Sequence, residues 1–188
     1  MRLLKFSFVI FSLLFLTACQ QEVQPKPNGF LALKYPKASY KKLSLPCPYV
    51  FEKNTIANIS YPKHRKPCWF NVDYPLLNAS VFITYQPVKN NLDSLLADAQ
   101  KLPLEHTIKA DAIEGDIYTN PGKKVYGMFY ELEGDAASQA QFYITDSVHH
   151  FLTGALYFKA LPNYDSIYPA AAYIQKDIKH LMESVQWQ

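Results

Sequence analysis

The sequence predicts an α+β fold, an antiparallel β-sheet covered by helices and closed by a long C-terminal helix. Three observations predict it. Aromatic residues are abundant, with 12 Phe, 14 Tyr and 2 Trp in 188 residues, and such side chains favour pleated, half-buried surfaces. Short alternating apolar segments recur between turn-forming residues along most of the chain, which is the pattern of strands. Two segments, one central and one C-terminal, instead space their apolar residues three and four apart, the period of a helix. Apolar residues make up 49% of the chain, enough for one buried core at this length. With 13 Pro and 6 Gly the chain falls far below the roughly 25–30% that marks low complexity.

The folded unit is expected as a single α+β domain over residues 29–188. Gly29–Tyr35 alternates and stops at Pro36, so it is expected as an edge strand. Pro46–Phe51 and Asn58–Tyr61 are short strands joined by polar turns. Tyr-Pro recurs at Tyr61-Pro62 and Tyr74-Pro75; proline has no N–H for a ladder, so each marks a strand end. Cys68–Tyr74 and Ala79–Tyr85 are two further strands. Leu92, Leu95, Leu96, Ala99 and Leu102 then form one apolar stripe. That helix can be capped by Asn90 or Asn91 and should end at Pro103.

From Gly115 the chain reads as a meander of Asp116–Thr119, Lys124–Leu132, Gln141–Thr145 and Phe151–Phe158. Its turns contain Asn120-Pro-Gly122, Gly134-Asp135 and Asp146-Ser147. The last helix is expected from Asp165 to Val185, with Ile167, Ala171, Ile174, Ile178, Leu181 and Val185 on one face. Asp165 or Ser166 can cap it, and Pro169 is expected in its first turn. In element order this resembles the PsbP-like fold, a sandwich in which an antiparallel sheet is covered by helices.

The N-terminus reads as an address. Arg2 and Lys5 precede an apolar run from Phe6 to Leu16, too short to span roughly 30 Å of bilayer and suited to a signal peptide over residues 1–18. Leu16-Thr17-Ala18-Cys19 resembles the lipobox of bacterial prolipoproteins. That resemblance makes Cys19 the acylated first residue of the mature chain, and multiple acyl chains give stable anchoring. Residues 19–28 are then the acylated Cys and a polar, Pro-containing tether. The partner this implies is membrane lipid, held through acylated Cys19, with the domain facing the periplasm of the cell envelope.

Removal of Cys19 to lipid leaves Cys47 and Cys68 as a pair. In an oxidising compartment the pair is expected as a disulfide. A zinc site using Cys47, His64 and Cys68 is the rival, but it lacks a fourth ligand and the usual close Cys pair.

Charge excludes one function class. Without Arg2 and Lys5 the chain holds 17 basic against 16 acidic residues, a balance of +1, and Lys63-His-Arg-Lys66 is its only basic cluster. No nucleic-acid partner is expected.

Chemistry is sparse. No Gly-rich phosphate loop, G-x-S-x-G elbow or H-E-x-x-H helix occurs, so no catalytic residue, metal site or cofactor is expected. Asp146-Ser147-Val148-His149-His150 gathers an acid, a nucleophile and two bases, yet neighbours on one strand cannot aim at each other. The expected reading is a hairpin turn. Asp-Ser followed by an aliphatic residue occurs at Ser94, Ser147 and Ser166, which resembles the O-glycosylation acceptor of periplasmic proteins in gliding-type bacteria. Helix starts and a turn explain the same residues equally well.

Several segments in order and spacing resemble the gliding motility lipoprotein GldD family. They are Pro25–Phe30, Leu45–Phe51, Gly134–Ser138 with Gln141–Tyr143, Thr145–Ser147, His150–Leu152, Gly154–Phe158, Asp177-Ile178 and His180–Glu183. The resemblance implies a non-enzymatic envelope component needed for gliding and type IX protein secretion, working with envelope proteins of that machinery. Trp69, Tyr126 and the Ala136–Ser138 loop are the candidate contacts. The competing class is a small-ligand or lipid-binding module, which calls for an apolar pocket beneath a helix. A hydrolase built on Ser147, His149 or His150 is the third.

Overall fold

The computed structural model describes residues 33–63, 66–105, 110–159 and 163–188. Among the described residues, ten strands and two α-helices follow in order: β1 (Tyr40–Ser44), β2 (Tyr49–Asn54), β3 (Asn58–Ser60), β4 (Phe70–Tyr74), β5 (Ala79–Pro87), α1 (Leu92–Glu105), β6 (Ala110–Asn120), β7 (Val125–Gly134), β8 (Ala140–Thr145), β9 (His150–Phe158), α2 (Tyr164–Ser184) and β10 (Gln186–Trp187). A 3-10 turn, Pro75–Leu77, joins β4 to β5. Seven strands make one antiparallel sheet in the order β3-β4-β5-β9-β8-β7-β6, and β1-β2-β10 make a second. The architecture is an α+β sandwich with a long C-terminal helix.

The large sheet is covered unequally. One face carries Val81, Ile83, Phe142, Ile144, Leu152 and Leu156, and it packs on the small sheet and on Ile174, Ile178 and Met182 of α2. Phe51 of β2 stacks on Phe70 of β4 at 6.0 Å between ring centroids, tying the two sheets together. The other face places Tyr143 and Phe151 under Leu95 and Ala99 of α1. Strand β8 is therefore buried at all six positions, with even and odd residues serving different cores.

Two glycines permit this packing. A Cβ at Gly154 would overlap the ring of Phe142, and one at Gly127 would overlap the backbone carbonyl of Tyr143. Gly127 lets the β8 backbone approach, and Gly154 leaves the Phe142 ring room to lie against β9.

The structure corrects several sequence expectations. Of the expected edge strand Gly29–Tyr35, residues 29–32 lie outside the described residues and 33–35 form no strand. The first strand is instead β1, whose Tyr-Lys-Lys-Leu-Ser sequence half-buries only Tyr40 and Leu43. A lysine-bearing edge strand carries little apolar signal.

Pro103 does not end α1, which continues to Glu105; so near the end, its missing N–H affects only the Ala99 carbonyl. Pro169 is the sixth residue of α2, past the first turn, and the same loss falls on Asp165. The caps differ too. Asn91 offers its carbonyl to the Leu95 N–H at 3.1 Å, but its side chain turns back to accept from Lys89 at 2.7 Å. Neither Asp165 nor Ser166 caps α2. Asn163 stands at the cap position without a side-chain bond, and Asp135, from the β7–β8 loop, accepts the Tyr164 N–H at 3.0 Å. Strand β10 extends the chain past the expected helix end and pairs with β2.

Candidate functional site

Helix α1 decides where the surface is open. A helix about 10 Å wide covers roughly two strands at their spacing of about 4.8 Å, and α1 lies on a sheet of seven. On β5 the residues Ala79, Val81, Ile83 and Tyr85 point into the main core. Ser80, Phe82, Thr84 and Gln86 alternate to the α1 side. Phe82 is the one large apolar side chain in that set, and it is 43% exposed.

A groove of about 520 Å³ lies beside α1 on this face, floored by Gly154 and Ala155 and walled by Phe82, Tyr157 and Ala99. Phe82 meets Tyr157 edge to face at 5.4 Å. Its polar groups are few. The Thr84 and Thr153 hydroxyls pair with each other at 2.6 Å, and Gln141 also lines the groove. Burial raises the Tyr157 hydroxyl above its usual range, so that side chain is neutral at any physiological pH. The groove is uncharged, mostly apolar and suited to covering by another apolar surface.

The Asp146–His150 segment is a turn organiser. Asp146 Oδ1 accepts the N–H groups of Val148, His149 and His150 at 3.0, 2.8 and 2.8 Å. Burial pushes the Asp146 carboxyl up, but these backbone donors outweigh it and hold the group below its usual value. Ser147 sits exposed in the left-handed region at φ 68°. His149 points to solvent while His150 turns inward, its Nδ1 3.0 Å from the Tyr85 hydroxyl and its ring stacked on Trp187 at 5.0 Å. The backbone donors occupy Oδ1, and Oδ2 lies 3.5 Å from His149 Nδ1, so both carboxylate oxygens are spent within the turn.

Cys47 and Cys68 are bonded to each other, with Cα atoms 5.6 Å apart. The bridge fastens the approach to β2 to the approach to β4, one strand from each sheet. Cys19 lies outside the described residues, as do His64 and Arg65 of the basic cluster. Ser94, Ser147 and Ser166 are all exposed, on separate elements.

The expected contact residues fare differently. Trp69 is half-buried and donates from Nε1 to the Tyr85 carbonyl at 3.0 Å, with Lys66 Nζ 4.8 Å above its ring. Tyr126 is half-buried beside a second, shallower trough. Ala136 and Ser138, expected in an exposed loop, are fully buried. Gln139 donates to the Ala136 carbonyl at 2.6 Å and Gln175 of α2 donates to the Gln139 carbonyl at 3.1 Å. The loop is folded under α2 and offers no contact surface at these two positions.

Phe82 was not singled out from sequence. Its signal was present as the large apolar residue on the otherwise polar face of an alternating strand, but an isolated apolar residue of that kind has no meaning until its neighbours are known.

Among the described residues, no group of three or more His, Cys, Asp or Glu side chains is placed to hold a metal ion. No helix among them is long and apolar enough to cross a membrane. Among curated proteins, none matches the chain. A family model, that of the gliding motility lipoprotein GldD, matches residues 20–187, nearly the whole chain, and the chain belongs to that family.

Proposed function

We propose that this member of the GldD family is a lipid-anchored, non-catalytic envelope component on which gliding and type IX protein secretion depend, working by docking other envelope proteins. Membership makes it a gliding-motility lipoprotein and places it at a membrane of the envelope. The docking reading rests on one observation, the half-covered α1 face, where Phe82 is 43% exposed in an uncharged apolar groove. Acylated Cys19, followed by the tether, would hold the domain at the membrane, facing the periplasm. The groove volume also favours a second reading. At about 520 Å³ it falls within the range of small-molecule sites, roughly 300–1,000 Å³, which suits a ligand- or lipid-binding module.

The test is a clean deletion complemented with wild type, Cys19→Ala or Phe82→Glu, each at equal protein level, and scored for colony spreading and the secreted proteome. Wild type should restore both, and the two variants should restore neither fully. Normal spreading and secretion in the deletion would sink the reading. If Phe82→Glu fails, native mass spectrometry separates the two alternatives: a small molecule retained by wild type and lost in the variant marks the ligand-binding module.

A further inference from the structure

Strand β6 is an outer strand of the large sheet and, at 11 residues, the longest among the described residues. Among the described residues no strand pairs with its outer side. A free row of N–H and C=O groups of that length is a template for one more strand.

The two faces of this edge differ in chemistry. On the α1 side, Ile117 is 78% exposed and stands with Tyr126, Met128, Leu92 and Leu96 around a trough of about 300 Å³. On the α2 side, Glu114 lies directly opposite Glu131 of β7, and Asp116 follows two residues on. Like charges facing each other across a sheet destabilise it. Burial pushes the Glu131 carboxyl up; Lys179 opposes this, while Glu114, Glu133 and Asp116 add to it. Among the described residues, Lys179 contacts this row, 3.1 Å from Asp116. The edge is thus apolar on one side and acidic on the other.

Two occupants fit poorly. A second copy pairing antiparallel about Gly115 would set Glu114 against Asp116 twice over. The chain's own N-terminal segment carries Pro25 and Pro27 around its single Lys26, and proline cannot donate to a ladder. We infer that β6 accepts an extended segment of a partner protein whose residues alternate between apolar side chains and Lys or Arg, adding an eighth strand to the sheet. The apolar set would enter the Ile117 trough and the basic set would meet Glu114 and Asp116. The inference deepens the docking reading above but does not use the Phe82 groove.

The experiment uses the full chain and three capped eight-residue peptides. One alternates Lys with Val, one alternates Glu with Val, and one repeats the Lys-Val sequence with N-methyl groups along one backbone edge. Binding is followed by fluorescence anisotropy and by hydrogen exchange of the β6 amides. The Lys-Val peptide should bind and slow exchange across 110–120, the Glu-Val peptide should bind about tenfold more weakly, and N-methylation should abolish binding. Glu114→Lys, a change at an exposed position, should reverse the preference between the first two. Equal affinities, or binding without protection of β6, would overturn the proposal. So would β6 protection that rises with protein concentration alone, which marks a second copy. Failure here with loss of spreading in Phe82→Glu discards only the strand proposal; β6 protection with normal spreading in the deletion discards only the functional reading.

Discussion

Tyr40, in the first strand, donates its hydroxyl to Asp177, in the last helix, at 2.7 Å across 137 positions of sequence. Asp177 is only 4% exposed, and its second oxygen accepts from Asn54 Nδ2 at 2.8 Å. The Tyr74 hydroxyl lies near the same carboxylate, and burial followed by the Asp177 charge raises it far above its usual range. The Tyr40 ring lies flat on His180 at 3.6 Å, and His180 Nε2 is 2.8 Å from Glu52. One buried carboxylate thus joins β1, β2, β4 and α2, and its burial is tolerable because its oxygens are occupied.

Replacing Asp177 with Ala should therefore strand the Tyr40 and Asn54 donors at once, costing about 3 kcal/mol. Tyr40→Phe removes one bond and should cost about 1 kcal/mol. Urea unfolding of the two variants measures this. Equal, small losses would show that the group does not act as a hub.

Reduction of the Cys47–Cys68 bridge, which spans 21 positions, should cost about 3 kcal/mol by releasing the unfolded chain. Denaturation with and without reductant checks it. The double variant Cys47→Ala, Cys68→Ala should match the reduced wild type and show no further response to reductant.

Gly154→Ala should destabilise by about 1–3 kcal/mol, because its methyl group meets the Phe142 ring in a packed core. Phe142→Leu should relieve part of that loss when combined with it. A thermal unfolding cycle of the four proteins gives the coupling, and strict additivity would refute the contact.

Acid should loosen the domain in two stages. Burial lowers the His150 pKa below 6.5; the Asp146 charge opposes that and His149 adds to it. The unfolded chain then binds the proton first. The stability tied to neutral His150 is complete above 6.5 and is lost as pH falls toward the folded value. Asp146 is held below 3.8 by its backbone bonds, despite burial, so its contribution is lost only at lower pH still. Urea midpoints across this range should fall in both stages for wild type, and His150→Phe should remove the first. An unchanged first stage would assign it to another group.

Periodicity placed the large elements well. The stripe Leu92–Leu102 became α1, the stripe Ile167–Val185 became α2, and the meander β6-β7-β8-β9 follows the chain order read from its turn residues. Strands β1 and β10 were illegible because neither carries an alternating apolar run. Each forms by pairing with β2, through registers such as Leu43 with Phe51 and Trp187 with Tyr49. Tertiary pairing supplied what local pattern lacked.

The site divides in the same way. The lipobox-like segment and the pair of cysteines are local facts of the sequence, since a short motif or a residue count states them completely. The turn at Asp146–His150 was also readable, because its bonds join neighbours. Phe82 and Asp177 were not: a strand face becomes open only when a helix elsewhere fails to cover it, and a buried acid becomes tolerable only when distant donors arrive. Sequence by itself determined the two long helices and the meander β6-β7-β8-β9, and it supplied the lipobox-like segment as an expectation. Tertiary structure alone decided which apolar residue stays exposed and which polar one is buried, because burial depends on residues far apart in the chain.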